Sequence, residues 1–293
     1  VYRVTGVLTV IGGWFFTAFM AFSISALYGW LIAEWGTVAL ICIMMMTVLV
    51  VLRNLKIHRN REQIQSETEI FNLRKISDPK ASVLATFEHM GIFLSVIEEQ
   101  LDRAFQGLIQ CDRHLLKDVR RHTKRIQGWA NIIIANIFKV LRLLHHSERS
   151  RSQNYAQIIS TLQEIAESHR DLVVRSFTHI DNHHKGFLPM QIEEIRQIHQ
   201  ETLSILHAGA EMLRNHSALT LDPLEGTCRR IGQMLRRFDQ NQIVRIQDET
   251  SKTRLSILFY SFIWNDQKIA RKTLELLRVF QEALNLEDAE RRS

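Results

Sequence analysis

Proline and glycine are scarce, with three prolines and twelve glycines in 293 residues. That scarcity argues against a turn-rich β architecture and against a long disordered linker. Cysteine is scarce too. Cys42, Cys111 and Cys228 are odd in number, widely scattered and free of any Cys-x-x-Cys spacing. This usage favours reduced thiols in a cytosolic compartment over a disulfide framework. There is no Gly-x-Ser-x-Gly elbow, P-loop, dinucleotide fingerprint or Cys/His pairing in a catalytic context, so nothing points to an enzyme. After Leu52 no stretch sustains period-two alternation, which leaves an all-α remainder.

Charge is missing from one place above all. Residues 4–33 and 35–52 contain no Asp, Glu, Lys or Arg, and only Glu34 interrupts them. A bilayer core of roughly 30 Å needs about 20 mostly apolar residues per helix. A helix also satisfies its own backbone hydrogen bonds in hydrocarbon. The first run is long enough to span with tilt or with a break at Gly12-Gly13, and the second is just long enough. Residues 1–52 are therefore predicted to form a transmembrane helical hairpin turning at Glu34-Trp35-Gly36, with Trp30 and Trp35 at the membrane interface. A short-cored, cleavable signal peptide does not fit two successive spans.

Arg53, Lys56, His58, Arg59 and Arg61 follow the second span and Arg3 precedes the first, whereas the far turn carries only Glu34. The positive-inside rule places both ends, and all that follows, in the cytoplasm. Residues 53–78 are charged and helix-compatible, a basic juxtamembrane connector. The chain begins at Val1 without an initiator methionine, and it is expected to be processed or to be the tail of something longer.

Ser77-Asp78-Pro79 has the form of a helix start, since proline is tolerated in the first turn. Six long helices are predicted from there, over about 79–110, 112–147, 152–180, 189–216, 222–249 and 251–286. In the first, Val83, Phe87, Met90, Phe93, Leu94, Ile97, Leu101, Ala104 and Leu108 recur at three- and four-residue steps. Asp222-Pro223-Leu224-Glu225 predicts a capped start, with the aspartate as cap and the glutamate reaching back. Six such helices on short loops suit an antiparallel bundle, here of two three-helix halves.

Two stretches carry a family resemblance. Arg3-Val4-Thr5-Gly6-Val7-Leu8-Thr9-Val10-Ile11-Gly12-Gly13-Trp14-Phe15 resembles the last membrane segments of the PiT family of inorganic phosphate transporters, in particular bacterial members with a long cytoplasmic extension. Ser256-Ile257-Leu258-Phe259-Tyr260-Ser261-Phe262, followed by Asn265-Asp266, is similar to the last helix of those extensions, which are PhoU-like helical domains. The resemblance implies a multi-pass protein of the bacterial inner membrane with residues 79–293 as a cytoplasmic PhoU-like domain regulating transport. It implies inorganic phosphate and a coupling cation, Na+ or H+, as what the parent transporter handles. The Gly-Ala-Asn-Asp motifs that build the transport site in that family have no match in this chain, so the resemblance puts that site upstream of Val1. The alternative is a stand-alone membrane-anchored helical signalling or scaffold protein.

PhoU-like domains can carry an acidic-x-x-x-Asp motif for a divalent metal. Glu98 with Asp102 and Glu167 with Asp171 match it, because a four-residue step sets two carboxylates on one helix face. Solvated helix faces carry the same spacing. His179, Asp181, His183 and His184 form a dense group that suits either a metal or a short polar loop. Arg120, Arg121, Lys124 and Arg125 form the densest basic cluster, suited to lipid headgroups or another anion as well as to a solvated face. It lacks interleaved aromatics and a DNA-binding motif, so nucleic acid is not expected as a partner. A homo-oligomer remains open.

Overall fold

The computed structural model describes the backbone of residues 2–69, 79–143, 149–215 and 220–292. These residues form seven α-helices and no strand: α1 (Tyr2–Glu69), α2 (Pro79–Ile109), α3 (Arg113–Leu143), α4 (Arg149–Asp181), α5 (Pro189–Asn215), α6 (Asp222–Gln247) and α7 (Thr253–Arg292). The expected start at Ser77-Asp78 lies outside the described residues, as does the first half of an expected break at Ser147-Glu148-Arg149-Ser150, whose second half is already helical. The chain divides into two compact units, Val1–Gln65 and Ser66–Ser293.

The first unit is α1 as far as Gln65. Its helical geometry fails only at Gly36, where φ is 56° and ψ is −132°. A side chain disfavours that positive φ and glycine does not, so the expected turn at Glu34-Trp35-Gly36 coincides with a real break. At Gly12-Gly13 the helix is continuous, so no break occurs there, and a methyl group on either glycine would touch nothing within 4 Å. Next to Gly36, Ala39 is buried and Leu31 and Ile43 are half-buried, while the other described side chains of 11–55 are exposed. Thr17, Ser23 and Thr47 donate their hydroxyls to the carbonyls four residues back, at 2.7–2.8 Å. In an apolar medium this removes the cost of an unpaired hydroxyl. Ile11–Leu55 is long and apolar enough to cross a membrane.

The second unit is the bundle. Helices α2, α3 and α4 all touch one another, as do α5, α6 and α7, and the two triples meet through α2 on α5 and α4 on α7. Equivalent helices of the two expected halves thus pair with each other. The expected stripe of α2 is buried from Phe87 to Leu108 and meets Ile198, Ile205 and Leu206 of α5 and Phe259, Phe262 and Phe280 of α7 in one core. Each such side chain contributes about 1.5–3 kcal/mol by leaving water. Close approach of α2 to α5 depends on Gly91, where an added Cβ would lie 2.9 Å from the Ala210 carbonyl oxygen.

Helix starts follow local chemistry with one correction. Asp112 caps α3, its Oδ1 accepting from the His114 and Leu115 amides at 2.8 and 3.0 Å. Gln191 reaches back from α5 to the Leu188 amide at 3.0 Å, half of a capping box. At α6 the expected aspartate cap fails. Leu221 occupies the cap position with no side-chain bond, Asp222 is already helical, and Glu225 accepts two bonds from Arg278 of α7. A cross-helix guanidinium outcompetes the helix's own first turn for that carboxylate.

Candidate functional site

The constellation that stands out lies where α2, α5 and α7 meet. His199 of α5 is 1% exposed and Asp266 of α7 is fully buried. The imidazole Nδ1 lies 3.1 Å from Asp266 Oδ2, and Nε2 lies 3.6 Å from Asp102 Oδ1 on α2. The first is a hydrogen bond; the second is an ion pair, too long for a hydrogen bond. Phe105 stacks on the ring with centroids 4.4 Å apart, and Phe262 meets it edge-on at 6.0 Å.

Each residue is placed by its helix. Asp102 sits one turn from Phe105 on α2, so carboxylate and ring reach the same histidine. Asp266 follows Phe262 by one turn on α7, with the same result. Burial by itself would push the His199 imidazole down, but Asp266 and then Asp102 outweigh it and hold it up at about 9. The Asp102 carboxyl is held below its ordinary value, chiefly by its contact with His199, against the opposing effect of burial. At neutral pH the group is therefore an imidazolium between two carboxylates. The buried members are sealed from solvent, so the arrangement suits holding a charge between three helices better than turning over a substrate.

A second polar group crosses α5, α6 and the start of α7. Gln242 donates to Ser251 and Ser256 at 3.0 and 2.9 Å and accepts from Gln191 at 2.9 Å and from Arg245 at 2.8 Å. Arg245 also pairs closely with Glu194, which takes a further bond from Asn241 at 2.8 Å. Among the buried atoms of these groups only Glu194 Oε2 is left without a hydrogen bond, and a network this extensive fixes helix register.

The expected metal pairs are distributed as follows. Glu98 and Asp102 do share one face of α2, the face toward α5. Each meets its own histidine there, Glu98 at 3.2 Å from His207 Nδ1 and Asp102 at His199. Glu167 lines a polar cavity of about 260 Å³ between α3 and α4, with Gln127, Asn131 and Gln163. Asp171 pairs instead with Arg170 at 2.9 Å. Among the described residues no three His, Cys, Asp or Glu side chains converge on a point that could hold a metal. At His199 the reason is geometric: the ring stands between the carboxylates and points its two nitrogens opposite ways.

The histidine-rich loop also separates. His179 is buried and its Nε2 donates to the Lys185 carbonyl at 2.8 Å, Asp181 is taken by Arg113, and His184 faces His179 with ring centroids 5.1 Å apart. In the basic cluster, Arg120 lies over the Phe177 ring at 3.8 Å and Arg125 bonds His122 at 2.7 Å, while Arg121 and Lys124 are exposed. All three cysteines are free thiols.

Sequence reasoning singled out Asp102 and quoted Asn265-Asp266 without assigning them to each other or to His199. The signal was an aspartate, Asp266, set among Ile263, Ile269 and Ala270 on a stripe that helical spacing makes core. A charge at a core position asks for a partner. No family model matches the chain, and no curated protein matches it.

Proposed function

We propose that the chain is the membrane-anchored regulatory portion of a cation-coupled inorganic phosphate transporter, its bundle biasing the transporter between states. The observation that carries the membrane part is the surface of residues 11–52 of α1, charged only at Glu34, which leaves Trp14, Phe15, Phe22, Trp30 and Trp35 more than 60% exposed. An apolar surface of that extent calls for lipid or for neighbouring spans. Phosphate as the transported species rests on the resemblance of residues 3–15 and 256–266 to the PiT family and its PhoU-like extensions. The regulatory role rests on the bundle: a buried charge between three helices favours one packing over another, and a transporter coupled to that packing would shift with it. In this reading the protein is multi-pass in the bacterial inner membrane, with the bundle in the cytoplasm below the basic residues that follow Leu52.

A second reading is a stand-alone membrane-anchored helical signalling or scaffold protein, which an apolar α1 followed by a helical bundle also suits. Immunodetection of the native polypeptide in inner-membrane fractions separates the two. A band well above the 34.2 kDa of this chain supports the transporter. A band at that mass favours the stand-alone protein.

A further inference from the structure

The groove between the C-terminal half of α4 and the first turns of α7 gathers cationic groups and contains no carboxylate. It encloses about 270 Å³ and is lined by Arg175, His184 and Arg254 together with Val174, Ile257 and Leu258. Helical spacing builds this division. Residues 174, 175 and 178 stand on one face of α4, and residues 254, 257 and 258 on the facing side of α7.

The cations lack the partners such groups usually have. Among the described residues Arg175 makes no ion pair, and the Arg254 guanidinium donates only to an imidazole nitrogen, His184 Nε2, at 3.3 Å. Asp171, one turn from Arg175 on α4, pairs with Arg170, and Asp181 pairs with Arg113. Burial chiefly, and then Arg254 and His179, hold the His184 imidazole below its ordinary value. Thr178 and Asn182 add neutral polar groups to the wall. Ile257 is 55% exposed in the middle of it.

We propose that the α4–α7 groove binds a small amphiphilic oxyanion, a phosphate or carboxylate group carried on an apolar body. Its oxygens sit between the Arg175 and Arg254 guanidinium groups, and its body lies on Val174, Ile257 and Leu258. Guanidinium forks match the geometry of either oxyanion. An apolar lining with a few polar groups is the usual make-up of a small-ligand site, and the volume of about 270 Å³ falls just below the common range of about 300–1,000 Å³. The apolar lining is what distinguishes this from a site for a bare ion. The inference does not depend on the transport reading.

The test is titration calorimetry on the full chain in lipid nanodiscs with phenyl phosphate, benzoate, inorganic phosphate and benzyl alcohol. Phenyl phosphate or benzoate is expected to saturate a single site, and the tighter of the two identifies the head group. Arg175→Gln with Arg254→Gln should weaken that binding by roughly tenfold or more, the loss expected when charge-assisted bonds go. Ile257→Asn, on an exposed side chain that folding does not need, should weaken phenyl phosphate and leave inorganic phosphate unchanged. The proposal is overturned if inorganic phosphate or benzyl alcohol binds as tightly as phenyl phosphate. It is equally overturned if Ile257→Asn leaves every affinity unchanged, or if no probe binds.

Discussion

Replacing Asp266 with asparagine should flatten the alkaline side of the stability profile. In the folded chain His199 is held at about 9 against an ordinary 6.5. A raised folded value means that the contribution is complete below pH 6.5 and is lost as pH climbs through 9. A rise of that size corresponds to about 3 kcal/mol. Asp266 supplies the 3.1 Å contact and the greater part of the upward pull; Asp102, at 3.6 Å and with its side chain 40% exposed, supplies less. Asp266→Asn keeps the shape and removes the charge. Between pH 6.5 and 9.5 the parent chain should therefore lose about 3 kcal/mol and the variant less than about 1 kcal/mol. Their difference should be largest at pH 6.5. Pulse proteolysis in a urea series, on the full chain in non-ionic detergent, reads the bundle's unfolding at each pH. Equal slopes for the two proteins would refute the reasoning, as would a His199 C2 proton titrating near 6.5.

Three further outcomes follow from named contacts. His169 is fully buried with neither ring nitrogen bonded, and burial pushes its imidazole down to about 4. Its contribution is present above pH 6.5 and lost as pH falls toward 4, so His169→Leu should make the acid limb shallower by up to about 3 kcal/mol in the same urea assay. Gly91→Ala adds a Cβ 2.8 Å from Arg214 Cγ and 2.9 Å from a backbone oxygen. The overpacking, about 1–3 kcal/mol, should outweigh a helix-propensity gain of about 1 kcal/mol and lower the melting temperature, whereas Gly128→Ala, with open space around it, should raise it. Arg245→Ala strands the Glu194 carboxylate at 8% exposure, and the urea midpoint should report a loss of about 3–5 kcal/mol.

What was legible in the sequence was periodic. The bundle helices begin and end within a few residues of where the spacing and the polar breaks put them, and every residue of the α2 stripe from Phe87 to Leu108 is in the core. Gly36 was legible because a lone acidic residue and a glycine between two uncharged runs leave few places to turn. The start of α6 was misread: Asp222-Pro223-Leu224-Glu225 has local capping chemistry, and the competing partner, Arg278, lies 53 residues away. The same distance problem hid the candidate site. Asp102, His199 and Asp266 come from three helices, and no local pattern shows that Glu98 and Asp102 face histidines of α5. The α4–α7 groove was half visible, since His179 and His184 were noticed as a group. Arg175 and Arg254, the residues that make the groove cationic, were not.

The central claim, a bundle that regulates phosphate transport, is tested most directly by radiolabelled phosphate uptake in cells of the source organism lacking residues 79–293 of this chain. The account expects uptake to persist in cells where the truncated protein is inserted and expressed, but no longer to adjust when external phosphate is raised or withdrawn. Uptake that keeps the intact protein's rate and adjustment at every phosphate concentration would contradict it.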